Sequence, residues 1–138
     1  GYVKSPRTMA TLQVSDATAS GQKLHTFTLN HLTERLTVRE LIHARIYQEV
    51  QDHNRSGATL FRGLVQPTDT ERTLNGFKFS RSRTLDWEEQ YARALDAFAR
   101  NGFFVLVGDR QAETLDEAFT VTPETEVSFV KLVPLVGG

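Results

Sequence analysis

The chain closes on Val-Ser-Phe-Val-Lys-Leu-Val-Pro-Leu-Val-Gly-Gly, residues 127–138. A strand-like apolar run that passes directly into Gly137-Gly138 leaves one group with chemistry at its end, the Gly138 carboxylate. Glycine has no Cβ and little conformational restriction, and Pro134 cannot donate a ladder hydrogen bond. The expected object is a firm strand giving way at 134–138 to a thin, flexible tail that can thread a narrow channel. A carboxylate is a poor acyl donor because its leaving group is poor. Adenylation by ATP would make it a good one, open to a thiol, amine, hydroxyl or sulfide. The competing reading of the same residues is a frayed end or a cloning scar without function.

Nothing else in the chain competes for chemistry. The four histidines are His25, His31, His43 and His53. No two have the i, i+4 spacing of a metal-binding helix, HExxH is absent, and each reads as an ordinary surface or boundary residue. There is no P-loop, GxGxxG or GxSxG. The acidic pairs Glu88-Glu89 and Asp116-Glu117 are sequence neighbours, which do not face one site. Cysteine is absent, which removes disulfides, thiolate metal sites and cysteine nucleophiles together and fits a cytoplasmic location. A formal net charge of -1, with Lys and Arg spread along the chain, recommends neither nucleic acid nor an anionic membrane as partner. The expectation is a protein that is not an enzyme and binds no metal or cofactor of its own.

The elements that would position the tail are legible. A chain of 138 residues fits one domain, long enough to bury a core without staples. Residues 1–8 precede Met9 and are set aside as a tag remnant or disordered leader, so that 9–133 form the single domain. Segments 10–14 and 23–30 alternate as strands around the turn-rich 15–21, an antiparallel hairpin. Thr37 and Glu40 match a capping box. Val38, Leu41, Ile42, Ile46 and Val50 then predict a helix over 38–53, with Arg39, Arg45, Gln48 and Glu49 on its other face. Residues 58–65 and 77–83 could supply short strands on either side of a loop at 66–76. Asp86 opens a second helix whose stripe, Trp87, Tyr91, Ala94, Leu95 and Phe98, reads as core packing rather than a stacking platform. Asn101-Gly102 stops it. Phe103–Val107 reads as a strand buried on both faces and 108–111 as a turn. Residues 114–126 read as irregular with a helical turn at 115–118, and 126–135 as the last strand. The order implies an α+β fold, one mixed sheet gripping a helix, with Val38, Leu41, Ile42 and Ile46 set against Val105, Val127 and Phe129.

This order resembles the ubiquitin-like proteins of the β-grasp fold. The resemblance rests on the hairpin (10–30), the capped helix (37–53), the strand 103–107, the segment 108–135 and the terminal Gly-Gly. "GDRQAETLDEAFTVTPETEVSFV" resembles the stretch of ubiquitin between its later strands. "TEVSFVKLVPLVGG" is similar to the ends of the sulfur carriers of molybdopterin and thiamine synthesis. It covers roughly 10–55 and 102–138. A helix-containing insertion at about 56–101, between the first helix and the third strand, is foreign to both small families. It points to the larger ubiquitin-like proteins of bacterial conjugation operons.

The resemblance implies a protein modifier. Gly138 would supply the acyl carboxylate and Gly137 the slimness. Leu135 and Val136 would be read as an extended strand by the activating or deconjugating enzyme. The activating enzyme would use the ATP. The partners would be that enzyme, a conjugating enzyme, a deconjugating peptidase and the target proteins. Family members often expose an apolar patch on the sheet face away from the helix, here Val130 and Leu132. The alternative is that the insertion covers that face with Trp87, Tyr91 and Phe98. Two other functions stay open: a sulfur carrier whose terminus becomes a thiocarboxylate for cofactor or tRNA thiolation, and a noncovalent β-grasp binding module.

Overall fold

The computed structural model describes residues 9–132. In chain order, strands β1 (Met9–Ala17), β2 (Lys23–Thr33) and β3 (Arg35–Thr37) lead into helix α1 (Val38–Ser56). Strands β4 (Leu60–Phe61), β5 (Thr70–Thr73) and β6 (Gly76–Phe79) precede helix α2 (Trp87–Ala99). Strands β7 (Phe103–Val107), β8 (Arg110–Ala112), β9 (Ala118–Thr120) and β10 (Glu126–Lys131) follow. The architecture is α+β. Residues 9–41 with 103–132 form one compact unit and Ile42–Gly102 a second, the division falling inside α1. Among the described residues no helix is long and apolar enough to cross a membrane.

The first unit is built on a five-stranded mixed sheet in the order β2-β1-β10-β7-β8. β1 pairs antiparallel with β2 and parallel with β10, and β10 pairs antiparallel with β7. Residues side by side in such a ladder share a face, and the face alternates along each strand. Leu12, Val14, Leu29, Val105, Val127 and Phe129 fall on one face and are all buried. The core positions expected from the sequence, Val38, Leu41, Ile42, Ile46, Val105, Val127 and Phe129, are each at most 1% exposed.

Two segments are more regular than their composition suggests. Ser15-Asp16-Ala17, expected in a turn, continue β1, because Asp16 and Ala17 pair with Phe129 and Val130 of β10. The loop shrinks to residues 18–22, closed by a bond from the Thr18 N–H to the Gln22 carbonyl at 2.9 Å. After β7, only Gly108 and Asp109 turn the chain into β8, with Gly108 at φ 61°, a conformation glycine adopts without steric cost. β7 itself is not buried on both faces. Phe103 and Val105 are buried, whereas Phe104 and Leu106 on the other side are half-buried.

The start of α1 is secured twice. Thr37 Oγ1 accepts from the Glu40 N–H at 3.1 Å and Glu40 Oε1 accepts from the Thr37 N–H at 3.0 Å, the reciprocal capping box expected from the sequence. The Val38 and Arg39 N–H groups, orphaned at a helix start, donate to the carbonyls of Glu117 and Leu115, both at 2.9 Å. That docking explains a second difference. Residues 115–118 form no helical turn. A hydrogen-bonded turn leads into β9, which pairs with β3 through Leu36 opposite Phe119. Replacing Thr37 by Ala removes the cap and should cost about 0.5–2 kcal/mol. Denaturant unfolding would show it as a lower midpoint at unchanged slope, with Thr37→Ser close to wild type.

The second unit holds the rest of α1, α2 and a three-stranded antiparallel sheet in the order β4-β6-β5. β5 and β6 are joined by Leu74-Asn75, inside a segment expected to be loop. Gly76, at φ 143°, approaches the Phe61 carbonyl so closely that a Cβ would lie 2.6 Å from its oxygen. Phe61, Phe77 and Phe79 are buried, and the His53 ring lies 5.2 Å from that of Phe61 and stacks on Phe79 at 5.0 Å. His53 is therefore a core residue rather than a surface or boundary one. Its Nε2 lies 3.0 Å from the Arg83 carbonyl, which can only accept, so this nitrogen carries the proton. Asn54 clamps Leu85 from both sides, donating to its carbonyl at 3.0 Å and accepting from its N–H at 2.7 Å.

Arg45 and Glu49 correct the reading of α1's polar face. Arg45 is 1% exposed and its Nε donates to Glu49 Oε2 at 3.2 Å. Glu49 Oε1 accepts from the Leu64 N–H at 3.1 Å. Arg45 stands four residues after Leu41 and three after Ile42, so helix geometry puts it in the apolar stripe whatever its charge. α2 is rotated in a similar way from its expected stripe. It is capped by Asp86, whose carboxylate accepts from the Glu88 N–H, but its buried residues are Gln90 and Ala94. Gln90 Nε2 donates to the Val65 carbonyl at 3.3 Å, which makes a buried amide tolerable. Trp87, Tyr91 and Phe98 are half-buried shoulders of that face, not its core.

Candidate functional site

The strand that leads to the chain's end lies in the middle of the larger sheet. β10 has β1 on one side, running parallel, and β7 on the other, running antiparallel. Its backbone is thereby paired on both sides, from Val127 to Val130 on each. Leu132 is the last described residue. Leu135, Val136, Gly137 and Gly138, on which the tail chemistry was expected, lie outside the described residues.

Val130 and Leu132 are described. Val130 stands between Ala17 of β1 and Phe104 of β7, so the three share the face opposite the buried one. Ser128 stands between Ser15 and Leu106 one step back along the same face. Val130, Phe104 and Leu106 are half-buried and Leu132 is 41% exposed. On the face of Val130 the neighbouring strand adds Phe104 and, one step back, Leu106. These were hidden in a run that read as buried on both faces. The polar residue between Val130 and Leu132 points the other way. Lys131 Nζ lies 3.9 Å from Asp16 Oδ2, and the Asp16 side chain is only 4% exposed. The end of β10 is therefore tied to the end of β1 by charge as well as by the ladder. Lys23 and Lys78, by contrast, are exposed.

Trp87 and Tyr91, read as core packing from the sequence, find partners in His43, read as a surface or boundary residue, and in Tyr47. These contacts lie within the second unit, with the His43 ring 5.0 Å from Trp87 and 5.1 Å from Tyr91. The two i, i+4 pairs, His43/Tyr47 and Trp87/Tyr91, were the available signal. That the pairs would face each other was not in the spacing. Among the remaining histidines, His25 stacks on Phe27 at 5.2 Å and His31 is exposed at φ 61°. Among the described residues no group of three or more His, Asp or Glu side chains could hold a metal ion. No protein-family model, curated protein or solved structure matches the chain.

Proposed function

We propose that this chain is a ubiquitin-like protein modifier of the β-grasp type, acting in a bacterial, cytoplasmic pathway. The Gly138 carboxylate is adenylated by an activating enzyme at the expense of ATP, passed to an enzyme thiol, and joined to a nucleophile of a target protein. Leu135, Val136 and Gly137 are the residues by which the activating enzyme and a deconjugating peptidase recognise the end that carries that carboxylate. The chain is the substrate of this chemistry and supplies no catalytic group.

The observation that carries the reading is the place of β10. A hairpin, a capped helix and a last strand running parallel to the first, between β1 and β7, is the arrangement that a β-grasp asks for. It supports the reading in a physical way too. Main-chain bonds on both sides, the buried Phe129 and the Lys131–Asp16 contact anchor the strand immediately before the tail. Force or strain applied to a tail engaged by an enzyme then meets a central strand, not an edge that peels. The face of Val130, Phe104, Leu106 and Leu132 is the patch through which partners would recognise the modifier.

Mass spectrometry on tagged protein expressed in its source cell tests this, wild type beside a variant lacking Gly137 and Gly138. The expected result is a set of adducts in the wild type alone, each leaving a Gly-Gly remnant on another protein. A sulfur-for-oxygen mass shift at the terminus without adducts would make the chain a sulfur carrier, since the same adenylation opens both routes. Identical samples in the presence of the native activating enzyme would end the covalent reading.

A further inference from the structure

Asparagine followed by glycine is a reactive pair. The glycine backbone nitrogen can attack the carbonyl carbon of the asparagine side chain, because no Cβ stands in its way. A C–N bond forms, the glycine N–H proton leaves with the side-chain nitrogen as ammonia, and a five-membered succinimide closes. Water then opens either carbonyl of the ring. One opening gives aspartate. The other gives isoaspartate, in which the main chain runs through the former side chain and is one methylene longer. The chain has four asparagines, Asn30, Asn54, Asn75 and Asn101, and two of them, Asn75 and Asn101, precede glycine.

The two pairs stand in different surroundings. Asn101, at φ 59°, closes α2 in a Schellman motif. Its N–H donates to the Phe98 carbonyl at 3.1 Å, and the Gly102 N–H donates to the Ala97 carbonyl at 2.7 Å. The nitrogen that would have to attack is held by the helix end, and its proton is engaged. Gly102 also lies so close to Ala97 that a Cβ would be 3.2 Å from the carbonyl oxygen, which leaves ring closure little room to turn the backbone. Asn75 sits at the exposed tip of the β5–β6 hairpin, after Leu74, which is 103% exposed. Its N–H donates to the Thr73 hydroxyl at 3.2 Å, and among the described residues its side-chain amide takes part in no hydrogen bond. Gly76 faces Thr73 in the last pair of the ladder. Local opening costs least at such a tip.

We propose that Asn75 is a site of spontaneous modification, converted through a succinimide with Gly76 to aspartate and isoaspartate, and that the isoaspartate form loosens the three-stranded sheet of the second unit. Asn101 is spared. The consequence follows from the packing of Gly76. At φ 143° it approaches the Phe61 carbonyl so closely that a Cβ would lie 2.6 Å from the oxygen. Phe61 pairs with Phe77 across β4 and β6, and both are buried. A methylene added to the chain immediately before Gly76 changes the spacing from Thr73, and this close approach has no slack to absorb it. The aspartate form keeps the backbone length and adds a charge at an exposed tip, so it leaves the sheet intact. The glycine N–H must lose its proton to react, so conversion speeds up as pH rises. The reaction needs no enzyme and no residue of the tail, and it stands or falls separately from the modifier reading.

The full chain is incubated at mildly alkaline pH and physiological temperature and sampled over days, folded and in denaturant. Peptide mapping by mass spectrometry, with electron-transfer fragmentation to tell isoaspartate from aspartate, follows each asparagine. In the folded chain the Asn75 peptide should gain the amide-to-acid mass shift and carry isoaspartate. The Asn101 peptide should convert about tenfold more slowly, the scale of the backbone hydrogen bonds that must open first. In denaturant the two should react at similar rates. Asn75→Gln, which cannot close the five-membered ring, should stay unmodified at that position. Aged wild type should unfold at a lower denaturant midpoint than fresh protein, and aged Asn75→Gln should match its own fresh sample. The proposal is overturned if Asn101 converts as fast as Asn75 in the folded chain, or if Asn75 stays intact there while it reacts in denaturant. It is equally overturned if wild type carrying isoaspartate at position 75 unfolds at the midpoint of fresh protein.

Discussion

Phe129→Ala should cost the first unit about 3–5 kcal/mol, the range for deleting a large buried aromatic side chain. Phe129 is fully buried in the central strand β10. It pairs with Val105 on one side and Asp16 on the other, and its ring lies 6.0 Å from that of Phe103. A strand in the middle of a sheet cannot relax toward solvent, so the cavity would close only in part. Against the 5–15 kcal/mol that separates folded from unfolded domains, this is a large fraction. Denaturant unfolding followed by far-UV circular dichroism should show a strongly lowered midpoint, with Phe129→Leu recovering most of it. An Ala variant within about 1 kcal/mol of wild type would mean that the Phe129 side chain is not part of a tightly packed core.

Glu49→Ala should cost the second unit a comparable amount, for an electrostatic reason. The Arg45 side chain is 1% exposed and that of Glu49 14%. Taking away one partner of a buried pair typically costs about 3–5 kcal/mol, because the remaining charge keeps its desolvation penalty without the compensating attraction. Here the Leu64 N–H loses its acceptor in the same step. Replacing the pair together, Arg45→Met with Glu49→Leu, should recover much of the loss, since an apolar pair of similar volume carries no such penalty. The double-mutant cycle, read by chemical denaturation, gives the coupling directly. Additive single and double effects would show that the pair contributes only packing.

These two residues also mark the boundary of what the chain's own text could say. Thr37 with Glu40, Asp86, and Asn101-Gly102 announced the helix ends, because capping is local chemistry between residues a few positions apart. The apolar periodicity of α1 and the alternation of β1, β2 and β10 announced the core, because burial follows the period of the element. Arg45 and His53 were misread because residue type was weighed above position. Both stand in the stripe that Leu41, Ile42, Ile46 and Val50 define.

What the tertiary structure alone decided are the pairings between distant segments. Ser15-Asp16-Ala17 has the composition of a turn and became strand because β10, more than a hundred residues later, offers it a parallel partner. Residues 118–120 became strand only because Arg35–Thr37 lies opposite. Phe104 came to lie beside Val130, and His43 met Trp87, through contacts whose partners no local rule specifies. Propensity is a weak preference that packing routinely overrides. The sequence by itself determined the two helices with their caps, the strands β1, β2, β7 and β10 in outline, and most of the buried positions. The tertiary structure determined which strands lie side by side, which charges are buried, and which rings stand together at the surface, because those depend on the free energy of long-range contacts.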